Sequence, residues 1–113
     1  MIKTIKDPIS QNELQKIAQE NFGDMIKGTI DIEKEIIALG GNLHSDSEAE
    51  LLKNGSKQQN IWGFNIYPKK SRDNWLEYTS LINIRPSVGN RSMEIEDQNI
   101  RKKVEDIIKR LVF

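Results

Sequence analysis

The stretch Thr29-Ile-Asp-Ile-Glu-Lys-Glu-Ile-Ile-Ala-Leu39 decides the architecture of this chain. Over Thr29 to Glu33, Ile30 and Ile32 alternate with Asp31 and Glu33, the two-residue period of a strand with one face in the core. A charged turn near Glu33-Lys34-Glu35 follows. Ile36 to Leu39 is then apolar at every position, which predicts a more fully buried strand. The turn holds neither Gly nor Asn, so the usual tight-hairpin signature is missing and its type stays open. Gly40-Gly41 breaks the second strand. A hairpin at this point makes a mainly antiparallel sheet the natural scaffold.

Upstream of the hairpin, Ser10 and Glu13 form a capping box, and Ile9 with Leu14 are spaced as a hydrophobic staple around it. Leu14, Ile17, Ala18 and Phe22 continue as one helical stripe, and Gly23 is placed to stop it. Downstream, Ser45-x-x-Glu48 predicts the start of a shorter helix that carries Ala49, Leu51 and Leu52 and ends at Asn54-Gly55. Gln58 to Tyr67 reads as a strand with Trp62, Phe64 and Ile66 on one face and Gly63, Asn65 and Tyr67 on the other. Pro68 ends it. Trp75 to Arg85 reads as the last strand, with Leu76, Tyr78, Ser80, Ile82 and Ile84 sharing a face. A closing helix runs from an Asp97 cap to about Leu111, with Ile100, Val104, Ile107, Ile108 and Leu111 at helical spacing. The expectation is one α+β domain over residues 1–113, in the order α-β-β-α-β-β-α. It has a four-stranded, mainly antiparallel sheet and three helices mostly on one face.

Composition narrows the function classes. Lys plus Arg equals Asp plus Glu at 17 each, so the net charge is zero and nucleic acid is not an expected partner. Near-neutrality removes self-repulsion, which leaves a homodimer or protein-interaction module as one reading. The chain has no cysteine, excluding disulfides, thiolate metal sites and cysteine nucleophiles. The N-terminus lacks a long apolar core, and no apolar run approaches the roughly 20 residues that span a bilayer. The expectation is a cytoplasmic protein without a membrane partner.

Polar chemistry concentrates in Ser80-Leu-Ile-Asn-Ile-Arg-Pro-Ser-Val-Gly-Asn-Arg-Ser92. Arg85 and Arg91 are fork-shaped cations, and Gly89 lets the loop turn its N–H groups, Asn90 among them, toward a guest. These residues predict a clamp for an anionic or carboxylate-bearing small molecule; the opposing reading pairs the arginines internally with Asp46, Glu48, Glu94 or Glu96. Asn65 and Asn83 lie mid-strand on the polar face of neighbouring strands, where they would orient that ligand or simply face water. The only histidine, His44, stands beside Asp46 and Glu48. That trio suits an oxygen/nitrogen metal site, but capping already accounts for Ser45 and Glu48, so no metal is expected. The same three residues define an enzyme alternative, in which His44 works with Asp46 or Glu48. It requires the Gly40–Glu48 loop to meet the Pro86–Glu96 loop. No P-loop and no G-x-S-x-G motif is present, and no cofactor is expected.

Taken together, Asp31-Ile-Glu-Lys34, Gly40-Gly-x-Leu-His-x-Asp-x-Glu48, Gly55-Ser-x-Gln58, Trp62-Gly-x-Asn-x-Tyr-Pro68 and Ile82-Asn-Ile-Arg-Pro86 with Asn90-Arg-Ser92 resemble a small uncharacterised prokaryotic family. The resemblance spans nearly the whole chain and is to a domain of unknown function with no assigned activity, cofactor or substrate. It implies one complete domain. It also implies that His44, Asn65, Asn83, Arg85 and Arg91 belong to a recurring polar set.

Overall fold

A strand that is apolar on both sides has to be covered on both sides, and that requirement organises the molecule. The computed structural model describes residues 2–112. In chain order they form β1 (Ile2–Ile5), α1 (Gln11–Gln19), β2 (Ile26–Asp31), β3 (Ile36–Gly40), α2 (His44–Lys53), β4 (Ile61–Ile66), β5 (Leu76–Glu77) and α3 (Gln98–Leu111). Short 3-10 turns occupy Gln58–Asn60, Leu81–Asn83 and Pro86–Val88. The sheet order is β1-β3-β2-β4-β5, and every neighbouring pair is antiparallel.

The β2–β3 hairpin forms where the alternation placed it, with Thr29 opposite Ala38 and Asp31 opposite Ile36. Its turn works without Gly or Asn because Asp31 is buried at its base. The Asp31 carboxylate accepts from the N–H groups of Glu33 at 2.9 Å and Lys34 at 3.0 Å. Glu35 then takes the left-handed conformation, φ 57°, in the place a hairpin normally gives to Gly or Asn.

On one sheet face, Ile30, Ile37, Leu39, Phe64 and Ile66 pack with Leu14 and Ile17 of α1 and with Val104, Ile107 and Ile108 of α3. The opposite face carries Ile36, Ala38 and Ile61, which meet Leu51 of α2 and Ile82. Leaving the large side chains of that second face in water would cost about 1.5–3 kcal/mol each, so α2 crosses over to cover them. The helices are therefore divided, α1 and α3 on one face and α2 on the other. The expectation that they gather mostly on one face holds only for the first pair.

Two strand expectations need correction. The sheet has five strands, because Ile2–Ile5 adds a fifth by pairing along β3 from Ile2 opposite Gly40 to Ile5 opposite Ile37. The predicted strand Trp75–Arg85 survives only as Leu76–Glu77. At Ser80 the side-chain oxygen accepts from the Ile82 N–H at 3.2 Å and turns the chain into the Leu81–Asn83 3-10 segment. The vacant place beside β4 is filled by a side chain. Asn83 Oδ1 accepts from the Gly63 N–H at 2.8 Å, and its Nδ2 donates to the Gly63 carbonyl at 3.1 Å. The amide thus reproduces both bonds of a neighbouring strand residue. Gly63 has no room for a side chain here, since a Cβ would lie 2.5 Å from Ser80 Cβ.

The helix starts are right at two of three positions. Ser10 Oγ accepts from the Glu13 N–H at 3.2 Å, and the Asp97 carboxylate accepts from Asn99 and Ile100. Helix α2 instead begins at His44, with Asp46 reaching back to the Leu43 N–H at 3.0 Å. Glu48 is therefore not a capping residue and is available for another partner. No helix among the described residues is long and apolar enough to cross a membrane.

Candidate ligand-binding groove

The expected arginine clamp is divided by the fold. Arg85 lies over α2 with its guanidinium 3.1 Å from the Glu48 carboxylate, both side chains nearly buried, and it also donates to the Ile61 carbonyl. Burial lowers the Arg85 pKa from its usual value, while the charge of Glu48 and the hydrogen bond to it act the other way. A hollow of about 540 Å³ beside this pair is lined by Lys57, Gln58 and Ser87. Arg91 lines neither this hollow nor the groove described below. Its main-chain N–H, with that of Ser92, binds the Glu96 carboxylate at 3.1 and 2.7 Å.

Asn83 and Asn90 are committed to holding the chain. Asn83 also donates to the Met93 carbonyl, and it is fully buried. Asn90 donates to the carbonyls of Asn83, Ser92 and Glu94 and accepts from the Glu96 N–H at 2.8 Å. Together they pin the Pro86–Glu96 loop, for which the sequence offered both a ligand clamp and internal pairing.

The remaining candidates, His44 and Asn65, meet in a different place. A groove of about 570 Å³ lies between the start of α2 and the segment from Thr79 to Ile82. Met93 of the Pro86–Glu96 loop also lines it, whereas Arg85 and Arg91 do not. The floor is the cross-strand pair Lys27 and Asn65, directly opposed on β2 and β4. The walls are largely apolar, from Met25, Leu43, Leu81 and Ile82. Leu81 is 72% exposed and Leu43 58%, an arrangement that a folded chain keeps only at some cost in exposed apolar surface.

Asn65 is held in one orientation. Its Nδ2 donates to the Glu77 carboxylate at 3.1 Å and to the Thr79 carbonyl at 3.4 Å, and the Tyr67 hydroxyl donates to the same Glu77 oxygen at 2.8 Å. Oδ1 is buried and has no hydrogen-bond partner among the described residues. Native proteins rarely leave such an atom unsatisfied without a reason. Sequence reasoning missed Lys27 and the apolar walls; Lys27 is legible only once the β2–β4 register sets it beside Asn65.

His44, the first residue of α2, places Nε2 2.9 Å from the Phe64 carbonyl. A carbonyl only accepts, so Nε2 carries the proton and Nδ1 keeps its lone pair in the neutral ring. Burial lowers the His44 pKa below its usual 6.5 and the nearby Lys27 charge adds to this, while the Phe64 carbonyl and the hydrogen bond that the charged ring would make to Asn65 partly oppose it. Its two sequence neighbours face elsewhere: Asp46 is engaged at Leu43 and lines a separate hollow with Gly41, and Glu48 is engaged at Arg85.

The His44 shift sets a pH dependence. On acidification the unfolded chain takes up a proton near pH 6.5, before the folded protein does. Stability is therefore complete above that value and falls as pH drops from it toward the lower folded pKa. Urea unfolding between about pH 7 and about pH 5.5 is expected to show this decline, and His44→Gln to flatten it. An unchanged slope in the variant would assign the titration to another group.

This geometry defines a class, a single-domain α+β protein with an antiparallel sheet and a polar-floored groove beside β4. More particularly, residues 3–111 match the family described as "Protein of unknown function (DUF5674)", and the chain belongs to that family, as its sequence blocks suggested. No curated protein and no solved structure matches it.

Proposed function

We propose that this domain is a small-ligand binding module, and that its ligand is an amphipathic carboxylate held in the His44–Asn65 groove. The observation that carries this is the groove's lining, in which the opposed pair Lys27 and Asn65 lies among largely apolar side chains. Pockets for small molecules combine apolar walls with a few fixed polar groups, and this groove has both. Sequence placed the carboxylate at Arg85 and Arg91. The structure favours Lys27, because Arg85 already faces the Glu48 carboxylate and Arg91 lies outside the groove. An acid–base role for His44 has less support, since Asp46 and Glu48 are both engaged away from it.

Titration of the full chain with hexanoate and with phenylacetate, followed by nuclear magnetic resonance, tests the reading. Saturable shifts are expected at Lys27, His44 and Asn65, with affinity about tenfold weaker in Lys27→Met. Binding that survives in Lys27→Met and disappears in Arg91→Ala would move the seat to the loop. A mass that doubles with concentration, with the groove resonances broadening in step, would assign the groove to a second copy.

A further inference from the structure

We infer that the groove docks an acidic amphipathic helix of a partner protein; this rests on the groove being the binding seat and names what presents carboxylates and apolar surface there. The groove does not end at Ile82. That side chain also lines the hollow of about 540 Å³ beside Arg85, so the two hollows adjoin. His44 and Ser45 border the first and Glu48 the second, which sets them one turn of α2 apart, about 5 Å. Of the seven large apolar side chains left exposed among the described residues, five line this continuous trough. Leu43, Leu81 and Met93 stand at one end, Ile84 and Val88 at the other. A sixth, Leu52, follows Glu48 by four residues on the same face of α2. Apolar side chains concentrated in one place on a small domain mark a surface that a partner covers.

Two features choose the occupant. Neither wall offers a strand edge. The main chain of α2 is bonded within the helix, and opposite it the N–H groups of Asn83, Ile84, Val88 and Gly89 are spent on carbonyls three residues earlier. A partner therefore has to satisfy its own main chain and bind through side chains, as a helix does. Apolar residues at i and i+4 of that helix fall about 6 Å apart, which matches two hollows one turn apart. The second feature is charge. The acids bordering the trough are already hydrogen-bonded inside the domain, Glu48 to Arg85 and Glu77 to Asn65 and Tyr67. Lys57 lies exposed on the wall and forms no ion pair among the described residues. Lys27 adds a second positive charge at the far end, over the Phe22 ring. The uncompensated charge of the trough is positive, so it selects carboxylates flanking the partner's apolar stripe. A second copy fits poorly. This face against itself would set cation against cation, and the described helices keep their apolar stripes in their own core.

The test uses two peptides of about 18 residues, long enough to hold a helix. One carries leucine and the other phenylalanine at i, i+4, i+7 and i+11, with glutamate and alanine elsewhere. Each is titrated into the full-length protein beside a version with lysine in place of glutamate and a version with a central proline. Amide resonances are the readout. Saturable shifts are expected at Leu43, Leu81, Ile84 and Val88, together with a rise in peptide helicity by circular dichroism. Binding should weaken at least about tenfold in the lysine version and in the proline version. Leu81→Asp, at a side chain 72% exposed, should abolish peptide binding without lowering the melting temperature. Lys57→Glu should narrow the preference for glutamate over lysine by about tenfold. Equal binding of the lysine or the proline version would overturn the inference, as would shifts that persist in Leu81→Asp. A mass that doubles with concentration in the protein alone, with these resonances broadening, would assign the trough to a second copy. If hexanoate and phenylacetate occupy the groove while neither peptide binds, this inference fails and the proposed function stands. If a peptide binds and neither small acid does, the small-ligand reading fails and this one stands. If nothing shifts the groove, both fail.

Discussion

Replacing Asn83 by alanine is expected to cost about 3 kcal/mol of folding stability and lower the melting temperature by about 12 °C. The residue is fully buried and its side chain makes three hydrogen bonds, two to the main chain of Gly63 and one to the Met93 carbonyl. Truncation leaves both Gly63 groups facing a space too tight for a replacement, since Ser80 presses against that glycine. The cost is that of buried polar groups left unpaired, which exceeds the net worth of the bonds themselves. Asn83→Asp should fare no better. Its carboxylate still accepts from Gly63 but sets a negative charge against two carbonyl oxygens. Denaturant unfolding of both variants provides the check; a loss under about 1 kcal/mol would mean that water satisfies Gly63 and that the side-chain amide does not replace a strand.

The second large effect concerns Arg85 and Glu48. Each side chain is nearly buried, at 12% and 11% exposure, so removing either leaves the other as an uncompensated charge. Arg85→Met and Glu48→Gln are each expected to lose about 3 kcal/mol, near the lower end for buried pairs because some solvent remains. The double substitution should be closer to wild type than the sum of the singles, with a coupling of about 2 kcal/mol in a double-mutant cycle. A coupling below about 0.5 kcal/mol would make the contact a surface pair of little consequence. Folded Arg85→Met protein also separates structure from binding. Under the groove reading it loses stability yet keeps its affinity for carboxylates, whereas a ligand clamp at Arg85 would lose affinity.

Local signals located much of the scaffold. Ser10 with Glu13, and Asp97 before the Ile100–Leu111 stripe, bring a cap and an apolar face together within one helix, so neighbouring residues suffice. The Trp75–Arg85 alternation misled because Ser80 can bond its own main chain, and the choice between strand and turn was settled by what lay beside β4. Ile2–Ile5 carries too short a pattern to declare a strand and becomes one only against β3. At α2, Ser45-x-x-Glu48 imitates a capping box, yet Asp46 caps the helix, which starts two residues earlier than that cap implies.

The candidate site was less legible. His44 and Asn65 were identified as polar residues of interest, but the residue opposite Asn65 is set by strand register, which brings Lys27 from 38 positions away. Asn83, Asn90 and Arg85 have the same side-chain chemistry as ligand-binding residues, and only their surroundings show that their hydrogen bonds are made internally. The sequence by itself determined an antiparallel α+β domain with its central hairpin and two capped helices, because those follow from short-range periodicity and capping. Tertiary structure alone decided which polar side chains were left unsatisfied. Whether a buried donor or acceptor finds a partner depends on residues far away in the chain: among the described residues the Asn83 and Asn90 amides are satisfied, while Asn65 Oδ1, Thr29 Oγ1 and Asp31 Oδ2 are not.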